Sequence, residues 1–269
     1  QLNTDPNNKD TDNDGILDGD ELGTVRQMTV NNVTDWYPNV NNGQIAWHEV
    51  QHFPSGGGVW LNDYNGTRLL PDSGYPCATY PNTAINNGKV AWMRCSAPYD
   101  IRLYDGTSTK IIDTNGGVGS QQLSLFNGRV VWYNANGIHI SNGTETGTLY
   151  NPSNSIASPP MIYGSRVVWS EYINKNTHCS NIFLYDIPDG VPLSSINWQD
   201  ARKICEDCSG YTYSEVYPVI NNEQVVWHRS TGQSASSGWM QYIFSSNTTT
   251  KIGTNNESAN PTNSTIDLD

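Results

Sequence analysis

Apolar and polar residues alternate along this chain in short runs that end on turn residues, and the runs recur. Five stretches, YPNVNNGQIAWHE, YPNTAINNGKVAWMR, QQLSLFNGRVVWYN, SPPMIYGSRVVWSE and VYPVINNEQVVWHR, each hold a short apolar strand, a turn and a second apolar run ending at Trp47, Trp92, Trp132, Trp169 or Trp227. A further alternating run follows each at variable distance: VWLNDYNGT, IRLYDGT, IHISNGT, IFLYDI and YIFSSNTTT. Period-two alternation closed by Asn-Gly or Asp-Gly predicts half-buried strands joined by tight turns. A weaker strand, as in TRLLP, TKIID and TKIGT, completes the unit.

Four strands in roughly forty residues make the unit of a propeller blade. The predicted fold class is therefore all-β: a five-bladed β-propeller of four-stranded blades over 24–253, preceded by a short calcium-binding loop segment over 1–23 and followed by a tail over 254–269. A β-sandwich has similar strand content but does not repeat one Trp-centred unit five times. The repeated tryptophans, each placed after apolar strand residues, are expected in the core rather than on a sugar-binding platform.

These repeats resemble the TolB-like β-propeller repeats of archaeal and bacterial cell-surface proteins, whose pattern is approximately P-x-I-x-G-x-x-V-V-W followed by D-I-Y-L-Y-D. The resemblance covers about residues 24–253 and is strongest at Pro160 to Trp169 and Asp100 to Asp105. It departs where Leu123 replaces the proline and where Pro81 comes two residues early. It implies a propeller fold and a place at a cell surface.

Two segments exceed the five repeats. GTVRQMTVNN, residues 23–32, has the pattern of a fourth strand with no repeat before it. Either this strand or the C-terminal TTTKIGTNN closes the ring, which leaves the other, or the tail, as a candidate for strand donation to a neighbouring copy. An insertion at about 191–213, containing NWQDARKICEDCSG, falls between the fourth and fifth repeats.

Composition narrows the partners. The 269 residues carry a formal charge of −12, so the Lys/Arg surface that nucleic acid requires is missing. No apolar run approaches the roughly 20 residues of a membrane span, and membrane insertion is not expected. With no signal-peptide or lipidation motif, the chain is expected to be a soluble mature form trimmed at Gln1. N-x-[ST] sequons begin at Asn32, Asn65, Asn142, Asn247, Asn256 and Asn263, compatible with a glycosylated, extracellular chain. Of the five cysteines, Cys77 and Cys95 are expected to pair across a hairpin, while Cys179, Cys205 and Cys208 leave one disulfide and one spare thiol. Zinc at Cys205-x-x-Cys208 lacks a second nearby pair.

Seven of the 26 acidic residues precede Leu22, opposed only by Lys9. In DTDNDGILDGDE they occupy the places of a twelve-residue calcium loop: Asp10, Asp12, Asp14, the carbonyl of Ile16, Asp18 and Glu21, with Gly15 at the sharp turn. Ca²⁺ is the expected cofactor, since Mg²⁺ prefers a smaller octahedral shell with several waters. The segment also resembles the thrombospondin type 3 calcium repeats of secreted proteins, which share DPNNxDTDxDGxxDGxE, a resemblance in which Asp5 adds a ligand to the same or an adjacent ion.

No G-x-S-x-G, H-E-x-x-H, Walker or dinucleotide motif is present, and the expectation is a protein that is not an enzyme. His48 and His228 follow repeat tryptophans and look structural; Glu49, Glu171 and Glu215 are the repeat-associated glutamates suited to paired-carboxylate chemistry. The expected function is a secreted, calcium-stabilised structural surface protein that assembles with other copies of itself into a filament or layer. The alternative is a monomeric module binding cell-surface glycans or proteins through loops on one face or through Trp36, Trp60, Trp198 and Trp239, with a polysaccharide-degrading enzyme as the lesser reading.

Overall fold

The computed structural model describes residues 27–50, 57–74, 83–94, 100–114, 123–134, 136–150, 156–174, 176, 179–196, 198–205, 214–230 and 237–254. The chain divides into two units, Gln1–Val33 and Thr34–Asp269. In the first, residues 27–33 contain no strand, a correction to the strand expected over 23–32. Gln27 instead closes locally, its side-chain amide donating to the carbonyl of Thr29 at 2.7 Å. Val30 stands almost fully exposed, so the alternation there has no apolar face to bury against.

The second unit is built from antiparallel sheets. The first contains β1 (Thr34–Asn41), β2 (Gln44–Val50), β3 (Gly58–Asp63) and β4 (Gly66–Leu69). The second contains β5 (Thr83–Asn86), β6 (Lys89–Arg94), β7 (Asp100–Tyr104) and β8 (Thr109–Asp113). The third contains β9 (Ser124–Phe126), β10 (Arg129–Asn134), β11 (Gly137–Ser141) and β12 (Thr146–Tyr150). The remaining strands are β13 (Ile156–Tyr163), β14 (Arg166–Asn174), β15 (Cys179–Asp186), β16 (Arg202–Lys203), β17 (Ser214–Ile220), β18 (Gln224–Ser230), β19 (Gly238–Ile243) and β20 (Thr248–Thr254). They form one eight-stranded sheet whose two four-stranded halves, β13 to β16 and β17 to β20, join at one parallel bridge, Ser180 to Ser214; the halves are called the fourth and fifth sheets below.

The Asn-Gly turns form as their residues dictate. Asn42, Asn87 and Asn127 take positive φ, followed by Gly43, Gly88 and Gly128 in the same region, which is the backbone of the tight primed hairpin turn. The neighbouring asparagines then stitch sheet to sheet. Asn41 Oδ1 accepts from the Asn87 backbone N–H at 3.0 Å, and Asn86 Oδ1 accepts from that of Asn127 at 2.8 Å.

The first part of the insertion expected at about 191–213 returns to the fourth sheet, and residues 206–213 lie outside the described residues. Two 3-10 turns, Leu193–Ser195 and Trp198–Asp200, precede β16, which returns to pair with β15. The Ile204 N–H donates to the Ile182 carbonyl at 3.1 Å, the counterpart of the bond from Leu70 to Val59 in the first sheet. The fourth strand is thus postponed rather than lost.

Four apolar clusters are found among the described residues, each between consecutive sheets. Ala46, Val59, Leu61 and Leu70 meet Ile85, Val90, Trp92 and Tyr104 in the first; the others repeat the scheme around Trp132, Trp169 and Trp227. The tryptophans are core residues, as expected, and replacing one by alanine would cost about 3–5 kcal/mol.

Candidate functional site

Acidic side chains cap three of the five repeat tryptophans, while the Trp92 indole donates to the Ser73 carbonyl at 3.0 Å. The indole N–H of Trp47 donates to Asp35 Oδ1 at 3.0 Å, that of Trp132 to Asp113 Oδ2 at 3.1 Å and that of Trp227 to Glu215 Oε2 at 2.6 Å. Asp35 and Glu215 occupy the same position in the first strand of their sheets, two residues before Tyr37-Pro38 and Tyr217-Pro218. Both tyrosines have positive φ, 53° and 56°, where each first strand shifts register against its partner. That conformation is rare for a bulky residue and marks a β-bulge held by its surroundings.

The three glutamates separate by environment. Glu215 is fully buried, and its Oε1 accepts from Arg229 Nε at 2.6 Å. Its backbone carbonyl accepts from the hydroxyls of Ser170 and Ser180, tying the fourth sheet to the fifth. Glu171 is buried beside Asn181 across the β14–β15 pair, whereas Glu49 is half-buried opposite Asp35. Glu215 is therefore structural. In the second sheet the same end carries Asp100, whose carboxylate accepts from Arg94 Nη2 at 2.6 Å and Arg102 Nε at 3.0 Å.

One histidine also sits in a joint, and two pack within their own sheets. His48 Nε2 contacts the Thr83 hydroxyl, joining the first sheet to the second, and both groups are buried. Burial lowers the pKa of His228, whose ring packs edge-on to Trp239 at 5.3 Å. Burial likewise lowers that of His139, which stacks on Trp132 at 5.6 Å. Both rings are thereby biased toward the neutral form.

Asp10, Asp12, Asp14, Ile16, Asp18 and Glu21 all lie outside the described residues, as do Cys77, Cys95 and Cys208. Among the described residues no group of three or more His, Cys, Asp or Glu side chains could hold a metal. Cys205 is a free, buried thiol whose Sγ accepts from the Ile182 N–H at 3.1 Å, and Cys179 is in a disulfide. Cys205 is thus packed into an apolar core rather than presented to an ion. No helix among the described residues is long and apolar enough to cross a membrane.

Of the aromatic residues considered for ligand binding, Trp36, Trp60 and Trp239 do not gather on one face. Trp36 pairs with His48 and Trp60 with Trp47, so strand alternation sends Trp36 and Trp60 to opposite faces of the first sheet. Trp239 lies in the fifth sheet, beside His228. Ten large apolar side chains are exposed among the described residues: Trp36, Val40, Tyr64 and Leu69 in the first sheet or its turn, Tyr217 and Ile252 in the fifth, Ile111 in the second, Ile173 in the fourth, Val191 in the insertion and Val30 before β1.

No family model matches the sequence, and no curated protein matches it. Solved structures do. A prolyl endopeptidase superposes with a TM-score of 0.54 at 10% identity, over 84% of this chain and 36% of its own. The putative TolB of Agrobacterium tumefaciens gives 0.52 at 10% identity, over 81% and 80%. The acylaminoacyl peptidase of Pyrococcus horikoshii gives 0.52 at 12% identity, over 82% and 39%. At these identities the likeness shows a β-propeller fold and the fold alone. The chain spans little more than a third of the two peptidases. The expectation that this protein is not an enzyme is overturned here, since peptidases share its fold and missing motifs in so partial a span exclude nothing.

Proposed function

We propose that this chain is a calcium-stabilised, five-bladed propeller that works at a cell surface by assembling with copies of itself into a filament or layer. The observation that carries the reading is that six of the ten large exposed apolar side chains among the described residues, Trp36, Val40, Tyr64, Leu69, Tyr217 and Ile252, belong to the two terminal sheets. Exposed apolar side chains of this kind supply contact area to a neighbouring copy where they adjoin one another. The acidic stretch from Asp10 to Glu21 supports calcium control: without the ion its carboxylates repel one another, and with it the segment becomes compact. The fold shared with a TolB-like protein is compatible with an envelope setting.

Negative-stain microscopy of the purified protein with calcium and with excess chelator tests the reading. Ordered filaments or sheets that dissolve on chelation are expected. Single particles in both conditions would sink it.

A second reading rests on the peptidase likeness: the chain is the propeller portion of a longer hydrolase. Turnover of prolyl or acylaminoacyl peptides by the full-length protein, lost on removal of this segment, would establish it.

A further inference from the structure

The turn from the third strand of a sheet to its fourth carries an Asn-x-Thr triplet in three of the five sheets: Asn65-Gly66-Thr67, Asn142-Gly143-Thr144 and Asn247-Thr248-Thr249. In the second sheet Asp105-Gly106-Thr107 takes the same place. Asn65, Asn142 and Asn247 are all exposed, so neither the triplet nor its accessibility separates them. Their hydrogen bonds do.

Asn142 opens a closed turn in which its backbone N–H donates to the Glu145 carbonyl at 3.2 Å. Its Oδ1 accepts from the Thr144 N–H at 2.9 Å, the Thr144 hydroxyl at 2.8 Å and the Glu145 N–H at 2.8 Å. These bonds fix the plane of the amide, and among the described residues nothing is bonded to its Nδ2. The turn has little freedom to reshape: Gly143 has φ of 86°, and a Cβ there would lie 3.2 Å from Leu103 Cδ2. At Asn65 the side chain bonds the Asp63 carboxylate instead, and the Thr67 hydroxyl accepts from Asn62 Nδ2 at 2.6 Å. At Asn247 the Oδ1 accepts from the Tyr242 hydroxyl and, at 3.3 Å, from Arg202 Nη1. The Thr249 hydroxyl turns away and donates to the Ile204 carbonyl at 2.7 Å.

We propose that Asn142 is an acceptor for N-linked glycosylation in the folded protein, and that the folded turns at Asn65 and Asn247 are not. The donor class is an oligosaccharide joined through a diphosphate to a polyprenyl lipid. The bond from Nδ2 to the anomeric carbon forms as the anomeric C–O bond to phosphate breaks. The lipid diphosphate leaves with that electron pair, and one Nδ2 proton passes to a base of the transferase. A transferase that reads Asn-x-Thr has to engage the amide nitrogen and the hydroxyl two residues on together. Of the three turns, Asn142 alone holds its own hydroxyl against its own amide while leaving the nitrogen unbonded. Asp105 is the comparison within the same chain: its Oδ1 accepts from the Thr107 N–H at 3.0 Å, the Thr107 hydroxyl at 2.8 Å and the Ser108 N–H at 2.9 Å. That is the same turn with an oxygen where Asn142 has its nitrogen. The proposal rests on the cell-surface part of the proposed function, which supplies the setting, and not on self-assembly.

The folded full chain, incubated with a single-subunit oligosaccharyltransferase and a polyprenyl-diphosphate oligosaccharide, tests it, with each sequon read by peptide mass mapping. A tryptic digest, in which no turn persists, is treated in parallel. Asn142 should gain the oligosaccharide in the folded chain, and Asn65 and Asn247 only in the digest. Thr144→Ala should abolish transfer to Asn142. Asp105→Asn, which completes Asn-Gly-Thr in the equivalent turn, should add a further occupied site in the folded chain. Equal transfer to all three turns of the folded chain would overturn the proposal. So would a folded Asn142 left bare while the digest accepts sugar there, or an Asn142 that neither form modifies. Because the transferase is supplied, the result is independent of assembly: single particles in both microscopy conditions would sink the filament reading and leave this site standing.

Discussion

Glu215 accepts the indole N–H of Trp227 through one carboxylate oxygen and the guanidinium of Arg229 through the other, at 2.6 Å each, with the acid fully buried. Asp35 stands in the same relation to Trp47 in the first sheet, at 3.0 Å. The acid fixes the indole that fills the joint with the neighbouring sheet, and so couples strand pairing within a sheet to packing between sheets.

Removing one partner of that buried group should be severe. Glu215→Ala leaves the Arg229 charge and the Trp227 N–H without their acceptor, and a loss of about 3–5 kcal/mol is expected. Glu215→Gln keeps an acceptor for Trp227 but not the charge, and should lose less. Urea unfolding followed by tryptophan fluorescence measures both; equal midpoints for wild type and Glu215→Ala would refute the assignment.

Stability should fall in two acid steps. Burial lowers the pKa of His139 and His228, so the unfolded chain takes up protons first as pH drops below about 6.5. Their contribution is complete above that pH and is lost as pH falls toward the folded-state values. Asp105 is held below the usual carboxylate range by the backbone N–H of Ser108, then by Thr107 and Lys110. Its contribution is complete above about pH 3.9 and is lost as pH falls further. His228→Asn should flatten the upper step and Asp105→Asn the lower, read as urea midpoint against pH.

Burial pushes the Cys205 thiol up to about 12. At neutral pH it should resist alkylation in the folded protein and react at once in denaturant, as mass spectrometry of iodoacetamide-treated samples would show. Rapid labelling of native Cys205 would contradict its place in the core.

Gly147 lies where the insertion crosses β12. A Cβ at this position would collide with the backbone carbonyl of Leu193, and the adjoining Leu193 N–H donates to Glu145 Oε2 at 3.1 Å. Gly147→Ala should cost about 1–3 kcal/mol and loosen the insertion, seen as faster proteolytic cutting after residue 190. Unchanged cutting would mean that the insertion is held elsewhere.

Much of the fold is legible from local pattern. Alternation into Trp47, Trp92, Trp132, Trp169 and Trp227 specifies strands and their buried face, because side chains on a strand alternate between two sides. The Asn-Gly pairs at 42–43, 87–88 and 127–128 specify their turns, because asparagine and glycine tolerate positive φ. The calcium loop expected over Asp10 to Glu21 is likewise a reading of spacing, and it lies outside the described residues.

Other features depend on what lies opposite in space. Residues 27–33 have strand-like alternation but form no strand, since a ladder needs a partner that local sequence cannot supply. The insertion could be placed only once Ile204 was seen to bond Ile182, restoring the fourth strand of its sheet after the detour. Val40 and Ile85 are near-identical in chemistry and repeat position, yet one is exposed and the other buried. Local sequence determined that each is an apolar strand residue facing a joint; only the tertiary structure decided which has a neighbouring sheet to cover it, because burial is a property of the second surface as much as of the first.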